Sequence, residues 1–166
     1  MIKKRGMMQL PFSMIFSIFL IIVFIVVAII AIIHFMNLWK VTQYNSFLGE
    51  FQDDVDEVWH SLSGSSGDIP YEYELPSSIE YVCFANLSIS SSGKYKSFYL
   101  ELARTGAEDS NLFIYPTKAV EPPYHYIKHI DINVIQQDNP YCIKLNNKKV
   151  KINLEKEVGE KLVRVS

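Results

Sequence analysis

The stretch that decides the fold is MIFSIFLIIVFIVVAIIAIIHF, residues 14–35. Seventeen of its 22 residues are Ile, Val, Leu or Phe, and the only polar ones are Ser17 and His34. A helix of this length spans roughly 33 Å, enough to cross the hydrocarbon layer of a bilayer. A buried core helix would need a larger surrounding domain than the rest of the chain offers, and a cleaved secretory signal has a shorter apolar region. We therefore predict a transmembrane helix within residues 7–39 that is retained as an anchor.

The charged residues on the two sides of this segment predict its orientation. Lys3, Lys4 and Arg5 precede it, whereas residues 41–166 carry all 18 acidic side chains and 12 of the 16 basic ones. Because positive charge is retained on the cytoplasmic side, we expect a cytoplasmic N-terminus in the cell membrane and residues 41–166 outside. The whole chain has a net charge of −2, which argues against binding to nucleic acid.

The helical pattern continues beyond the apolar segment. Pro11 suits the first turn of a helix, and the next proline is Pro70. We therefore predict one helix over 11–62, whose last part, 40–62, is an amphipathic stalk. Its stripe would cover the domain that follows, neighbouring copies of the same helix in a bundle, or both on different sides. The apolar residues of that stripe recur every three or four positions: Val41, Tyr44, Phe47, Leu48, Phe51, Val55, Val58, Trp59 and Leu62.

The rest of the chain has the pattern of short strands separated by turns. Residues 63–68 are rich in Gly and Ser and predict a flexible linker. Residues 69–166 predict a small antiparallel all-β domain of sandwich-like form, so the fold class is α+β. We expect turns at Ser92-Gly93, at Asn146-Asn147 and around Gly159. The predicted strands include 79–90, 94–102, 126–134, 141–145, 148–155 and 162–165.

Two features of this domain are typical of exported proteins. Cys83 and Cys142 fall in two predicted strands, and outside the cell such a pair tends to form a disulfide. Two buried, reduced cysteines are the alternative. Asn86-Leu87-Ser88 matches the acceptor pattern for N-glycosylation.

The sequence contains no convincing pattern of catalytic residues. Residues 64–67, Gly-Ser-Ser-Gly, do not form the G-x-S-x-G nucleophile motif. His125 and His129 would lie about 13 Å apart on a strand, too far for one metal ion. The acidic residues within 50–57 fit a solvated helix face. We therefore expect no enzyme activity, no cofactor and no metal site.

The order of the parts resembles that of type IV pilins and pilin-like proteins. It consists of a basic tip ending in Gly6, an apolar helix, its amphipathic continuation and a β-rich head. Gln9, shortly after this glycine, is similar to the Gln of archaeal members. In that family a prepilin peptidase removes the leader, which here would be residues 1–6, by cutting between Gly6 and Met7. Most bacterial members have Glu at the fifth mature position, where this chain has Pro11.

The resemblance implies a non-enzymatic, single-pass membrane protein that acts as a structural subunit of a cell-surface filament or envelope complex. Its partners would be the lipid bilayer, copies of itself contacted through the N-terminal helix, a prepilin-type peptidase and other envelope proteins. The alternative is a bitopic envelope protein whose β head binds a partner protein or a surface polymer, without processing or filament assembly.

Overall fold

The computed structural model describes residues 12–61, 65–66, 70–133 and 138–166. Its first element is one uninterrupted helix, α1 (Phe12–His60), which confirms the prediction of a single helix over the described part of 11–62. The chain divides into two compact units, Met1–Trp39 and Lys40–Ser166. The second unit contains the stalk part of α1 and the whole head.

Among the described residues the head contains nine short strands and one helix. All strand pairs are antiparallel, and the strands form three sheets with the orders β1-β8-β9, β2-β7 and β5-β4-β3-β6. The elements are β1 (Ser65–Ser66), β2 (Tyr71–Glu74), β3 (Tyr81–Phe84), α2 (Lys96–Ala103), β4 (Leu112–Tyr115), β5 (Tyr124–His125), β6 (Tyr141–Lys144), β7 (Lys149–Ile152), β8 (Leu154–Lys156) and β9 (Arg164–Val165).

The four-stranded sheet lies between two cores, one on each face. Successive side chains of a strand point to opposite faces, so Val82 and Phe84 of β3 pack in the core that includes the stalk. Cys83 of β3, and Ala85 just after the strand, pack in a second core with Leu102 of α2. Because helices cover both faces, the head is not the all-β sandwich that the sequence predicted.

The apolar stripe of the stalk packs in the core of the head. The side chains of its central residues are at most 4% exposed, and the Phe51 ring lies 5.8 Å from that of Phe84 in β3. Each such apolar side chain stabilises the folded state by about 1.5–3 kcal/mol. Of the two alternatives for the stripe, the structure therefore shows the first, in which it covers the domain that follows. The buried stalk residues are Tyr44, Phe47, Phe51, Val55 and Val58.

The opposite face of the stalk is exposed. Glu50, Asp53 and Glu57 recur there at helical spacing and remain in solvent. Gly49 lies beside them, and a Cβ atom added to it would have no atom within 4 Å. The packing of the head therefore does not require glycine at this position.

The predicted strand 94–102 is wrong, because most of this segment forms α2. Tyr95, Phe98 and Leu102 follow one another at spacings of three and four and pack in the second core, whereas Leu100 is 68% exposed. That periodicity is helical, and the segment contains no β-branched residue to favour a strand.

The predicted strand 126–134 is also wrong over its described part, which ends at residue 133. Ile127 and Ile130 are both buried although they are three residues apart, and Tyr126 is exposed. His129 between them has a positive φ of 65°. This backbone reversal interrupts the alternation that a strand requires, and Ile130 makes only an isolated bridge to Val163.

The predicted turns agree better with the structure. Asn147 has φ 49° in the tight turn between β6 and β7, and Gly159 has φ 96° before β9. Two other expectations need correction. Ser65 and Ser66 are not part of a free linker, because β1 pairs with β8. The strand predicted over 148–155 divides into β7 and β8.

Gly93 is the turn position at which glycine is sterically required. Its φ is +72°, and an added Cβ would lie 1.5 Å from Oδ1 of Asp138. The same carboxylate oxygen accepts a hydrogen bond from the backbone N–H of Lys94 at 3.0 Å. Gly106 has a similar φ of +69° but has no atom within 4 Å of the added Cβ. A comparison of substitutions at the two glycines therefore distinguishes the cost of the backbone conformation from the cost of steric overlap.

We predict that Gly93→Ala destabilises the head clearly more than Gly106→Ala does. Both variants place a Cβ in the left-handed region, which costs roughly 1–2 kcal/mol. Only Gly93→Ala must also displace Asp138 and the hydrogen bond that it accepts. Urea unfolding of the detergent-solubilised full chain, followed by near-UV circular dichroism, measures the difference. Equal free energies of unfolding for the two variants would show that the close approach to Asp138 does not matter.

Candidate functional surfaces

The apolar part of α1 presents an exposed surface along residues 14–39. Every residue from 14 to 39 is exposed, including Phe24 at 70% and Trp39 at 63%. By its length and composition the helix is long and apolar enough to cross a membrane. Because the exposure extends around the whole circumference, water is an unfavourable medium for this segment on every side.

A cluster of polar and aromatic side chains joins the end of the stalk to the head. The Asp56 carboxylate accepts hydrogen bonds at Oδ1 from Nε2 of Gln52, at 2.9 Å, and from Nδ1 of His129, at 2.8 Å. The His129 ring stacks on Trp59, with centroids 3.8 Å apart and planes 5° from parallel. Nε1 of Trp59 in turn donates to the backbone carbonyl of Lys161. This joint fixes the last turns of α1 to two separate loops of the head.

Sequence reasoning missed this joint. It placed His129 on a strand with His125, but the structure gives His129 a left-handed backbone and leaves His125 exposed on β5. The two residues therefore do not share a site. His is enriched among residues that adopt positive φ, but this weak preference does not identify Trp59 or Asp56 as its partners.

Two tyrosines of the first core differ in what their hydroxyls contact. Tyr73 donates to Oδ2 of Asp54 at 2.6 Å. The hydroxyl of Tyr44 has no hydrogen-bond partner among the described residues, although its side chain is buried. Burial raises the pKa of both phenols, and the bond to Asp54 raises that of Tyr73 further. Burial also raises the pKa of Asp54, as do neighbouring carboxylates, whereas the Tyr73 bond lowers it.

We predict that removing these two hydroxyls has different effects on stability. Tyr73→Phe leaves the part-buried Asp54 carboxylate without its donor and should destabilise the fold by about 1–3 kcal/mol at pH 7. Tyr44→Phe removes an unsatisfied polar atom and should be neutral or stabilising. Thermal and urea unfolding of the two variants measure both effects. A loss for Tyr44→Phe as large as that for Tyr73→Phe would contradict the assignment.

The effect of Tyr73→Phe should depend on pH. The folded-state pKa of Asp54 is raised, so its charged form opposes folding as the pH increases through that pKa. The Tyr73 bond offsets part of this effect, and its removal raises the pKa of Asp54 further. The difference in the free energy of unfolding between wild type and Tyr73→Phe should therefore be larger at pH 7 than at pH 3. A difference that does not change with pH would contradict this role.

The cysteine prediction is confirmed. Cys83 and Cys142 form a disulfide between directly paired residues of β3 and β6. Both side chains are buried in the second core beneath α2. A disulfide of this kind is typical of chains that fold in an oxidising compartment.

We predict that the Cys83→Ala/Cys142→Ala double variant loses about 4 kcal/mol of stability, because the bridge closes a long loop in the unfolded chain. Unfolding with and without a reductant checks this. The reductant should destabilise the wild type and leave the double variant unchanged, since the chain has only two cysteines. A wild type that is insensitive to full reduction would contradict the prediction.

Asn86 lies two residues after the end of β3, just before a turn at Leu87-Ser88. Its Oδ1 accepts a hydrogen bond from the backbone N–H of Ser88 at 2.9 Å. The buried side chain of Asn139 holds the turn, since its Oδ1 accepts from the Asn86 N–H and its Nδ2 donates to the Asn86 carbonyl. Glycosylation of Asn86 stays a prediction. The leader residues Gly6 and Met7 lie outside the described residues.

The head also carries an open cleft of about 670 Å³. It lies among the end of α2, the loop after β4 and the edge strand β5. Its polar side chains include Glu101, Arg104, Thr117, Lys118 and Tyr124. Within the described ranges no group of three His, Cys, Asp or Glu side chains could hold a metal ion, at the cleft or elsewhere.

Comparisons with protein-family models, curated protein sequences and solved structures find no match for this chain. The class of protein can therefore be described only by the geometry of the described residues. One helix combines an apolar segment that is exposed on every side and long enough to cross a membrane with a stalk that packs in a disulfide-bonded α+β head.

Proposed function

We propose that this chain is a membrane-anchored, pilin-like structural subunit of a cell-surface filament or envelope complex. The observation that carries the proposal is the division of α1 (Phe12–His60) into two parts with different surroundings. Residues 14–39 are exposed on all sides, whereas the apolar stripe of the stalk is buried by the head. The helix thus combines an apolar segment available for intermolecular contact with a fixed attachment to its own domain.

The buried stripe narrows the ways in which copies could associate. The stalk residues from Tyr44 to Val58 that would form an apolar seam already contact the head. Among the described residues of α1, the apolar segment that remains exposed for association between copies is therefore residues 14–39. Lipid surrounds this segment while the subunit is in the membrane, and equivalent helices replace lipid in an assembly. Both media are apolar, so the transfer exposes little apolar surface to water.

The charge pattern and the disulfide support export of the head. The basic side chains at Lys3, Lys4 and Arg5 favour a cytoplasmic N-terminus, and residues 41–166 would lie outside. The Cys83–Cys142 disulfide fits the oxidising environment in which such a head would fold. In this proposal a prepilin-type peptidase cuts between Gly6 and Met7 before assembly.

We predict that the mature chain in native membranes and surface fractions begins at Met7. N-terminal sequencing and intact mass measurement of the purified chain test this. Gly6→Leu should block cleavage, because the side chain enlarges the residue at the proposed cut, whereas the control Met8→Leu, on the other side of that bond, should be processed normally. An intact Met1 in the native membrane fraction would contradict the pilin-like proposal.

The location of the mature chain tests assembly separately from processing. Shearing of intact cells should release the mature wild-type chain in high-molecular-weight material, and Gly6→Leu should remain in the membrane. A processed chain that is never released would contradict filament assembly. An unprocessed, membrane-resident chain would favour the second candidate, a bitopic envelope protein whose head binds a partner protein or a surface polymer. The cleft beside α2 is the observation that favours that candidate.

A further inference from the structure

The cleft beside α2 has one wall that is fixed by hydrogen bonds. Glu101 of α2 accepts two hydrogen bonds at Oε1 from Thr117, one from its backbone N–H at 2.9 Å and one from its Oγ1 at 2.8 Å. These bonds connect the helix to the loop that follows β4. Oε2 of Glu101 has no hydrogen bond to any described residue and can accept one from a ligand.

Two cationic side chains of the cleft have no acidic partner in the described part of the chain. Arg104, at the end of α2, and Lys118, in the loop after β4, form no ion pair there. Arg164 in the same head, by contrast, pairs with Glu157 and with Glu160. The positive charges of the cleft are therefore available to an anionic group.

The remaining residues that line the cleft include an aromatic side chain. Tyr124 of β5 is half-buried at the cleft, and Pro116 and Pro123 provide rigid apolar faces beside it. The cleft thus combines a planar aromatic ring, two cations and one free carboxylate oxygen. A cleft of about 670 Å³ has the size of a typical small-ligand site.

We propose that this cleft binds an acidic saccharide, that is, a sugar ring bearing a carboxylate. The guanidinium of Arg104 matches a carboxylate in a bidentate pair, and Lys118 adds a second positive charge. The C–H face of the sugar packs on the Tyr124 ring, and a sugar hydroxyl donates to Oε2 of Glu101. This function goes beyond the proposed structural role and does not depend on processing or assembly.

An extended peptide fits this cleft less well than a saccharide does. Peptides that join the edge of a sheet need several free backbone N–H and C=O groups. Here the edge strand β5 is two residues long, and the preceding Pro122 and Pro123 have no N–H. The carbonyl of Pro123 already accepts a hydrogen bond from Ile114.

Binding can be tested on the detergent-solubilised full chain by isothermal titration calorimetry. The probe is a galacturonic acid trimer, and the neutral comparison is a galactose trimer of the same linkage. We expect saturable binding of the acidic trimer and none of the neutral one. Arg104→Gln and Lys118→Gln should each weaken binding by roughly tenfold or more, because each removes a charge-assisted contact. Lys161→Gln, which neutralises an exposed lysine outside the cleft, should leave the affinity unchanged.

Three outcomes would overturn the proposal. The first is the absence of saturable binding to the acidic trimer. The second is equal weakening by Lys161→Gln and Arg104→Gln, which would indicate general charge attraction. The third is equally tight binding of a short polyglutamate, which would show that the site recognises negative charge and does not require a sugar ring. Tyr124→Leu provides a further check: with unchanged unfolding, it should weaken binding of the acidic trimer and leave any residual polyglutamate binding unaffected.

Discussion

Five side chains on one face of the stalk, Tyr44 to Val58, enter the core of the head, and the rest of the domain depends on this contact. The central four-stranded sheet places Val82 and Phe84 of β3 in the same core as the stalk, so removal of α1 would expose part of that core to water. The three sheets are small, and none encloses a core alone. The helix is therefore a structural part of the head as well as a connection to it.

The contact between stalk and head distinguishes two apolar parts of α1 that are similar in composition. Between residues 14 and 39 the apolar side chains lie on every side of the helix and remain exposed, whereas from Tyr44 onward they occupy one stripe and are buried. A helix that is apolar on every side suits an apolar medium. An amphipathic helix instead packs its apolar stripe against the surface of a domain. The joint of Asp56, Trp59 and His129 then fixes the end of the stalk by polar contacts, which are directional where apolar packing is not.

The sequence predicted the features that depend on local pattern. The helix followed from its apolar periodicity and the absence of proline between Pro11 and Pro70, and the turn at Asn147 followed from the tolerance of Asn for positive φ. The disulfide followed from a pair of cysteines in a domain that the charge pattern predicts to be exported. The sequence interpretation missed α2, because KYKSFYLEL can be arranged with period two as well as with the helical spacing of Tyr95, Phe98 and Leu102. The absence of a β-branched residue from this segment was the signal that favoured the helix.

The joint and the cleft could not be predicted for a different reason. Each combines residues that are distant in sequence, such as Asp56 with His129 or Glu101 with Thr117, and no short spacing identifies such pairs. His129 in addition requires a positive φ, which breaks the strand pattern of its neighbours. Long-range polar pairs depend on the final fold and leave little trace in local periodicity.

Gly49 has a consequence for how far natural selection has stabilised the stalk. A glycine inside a helix is less favourable than alanine by roughly 0.5–1 kcal/mol, mainly through the larger conformational freedom of the unfolded chain. Because an added Cβ would touch nothing, the head gains no contact from keeping glycine there. The stalk helix is therefore less stable than its packing would permit, and a single methyl group at position 49 would raise its stability.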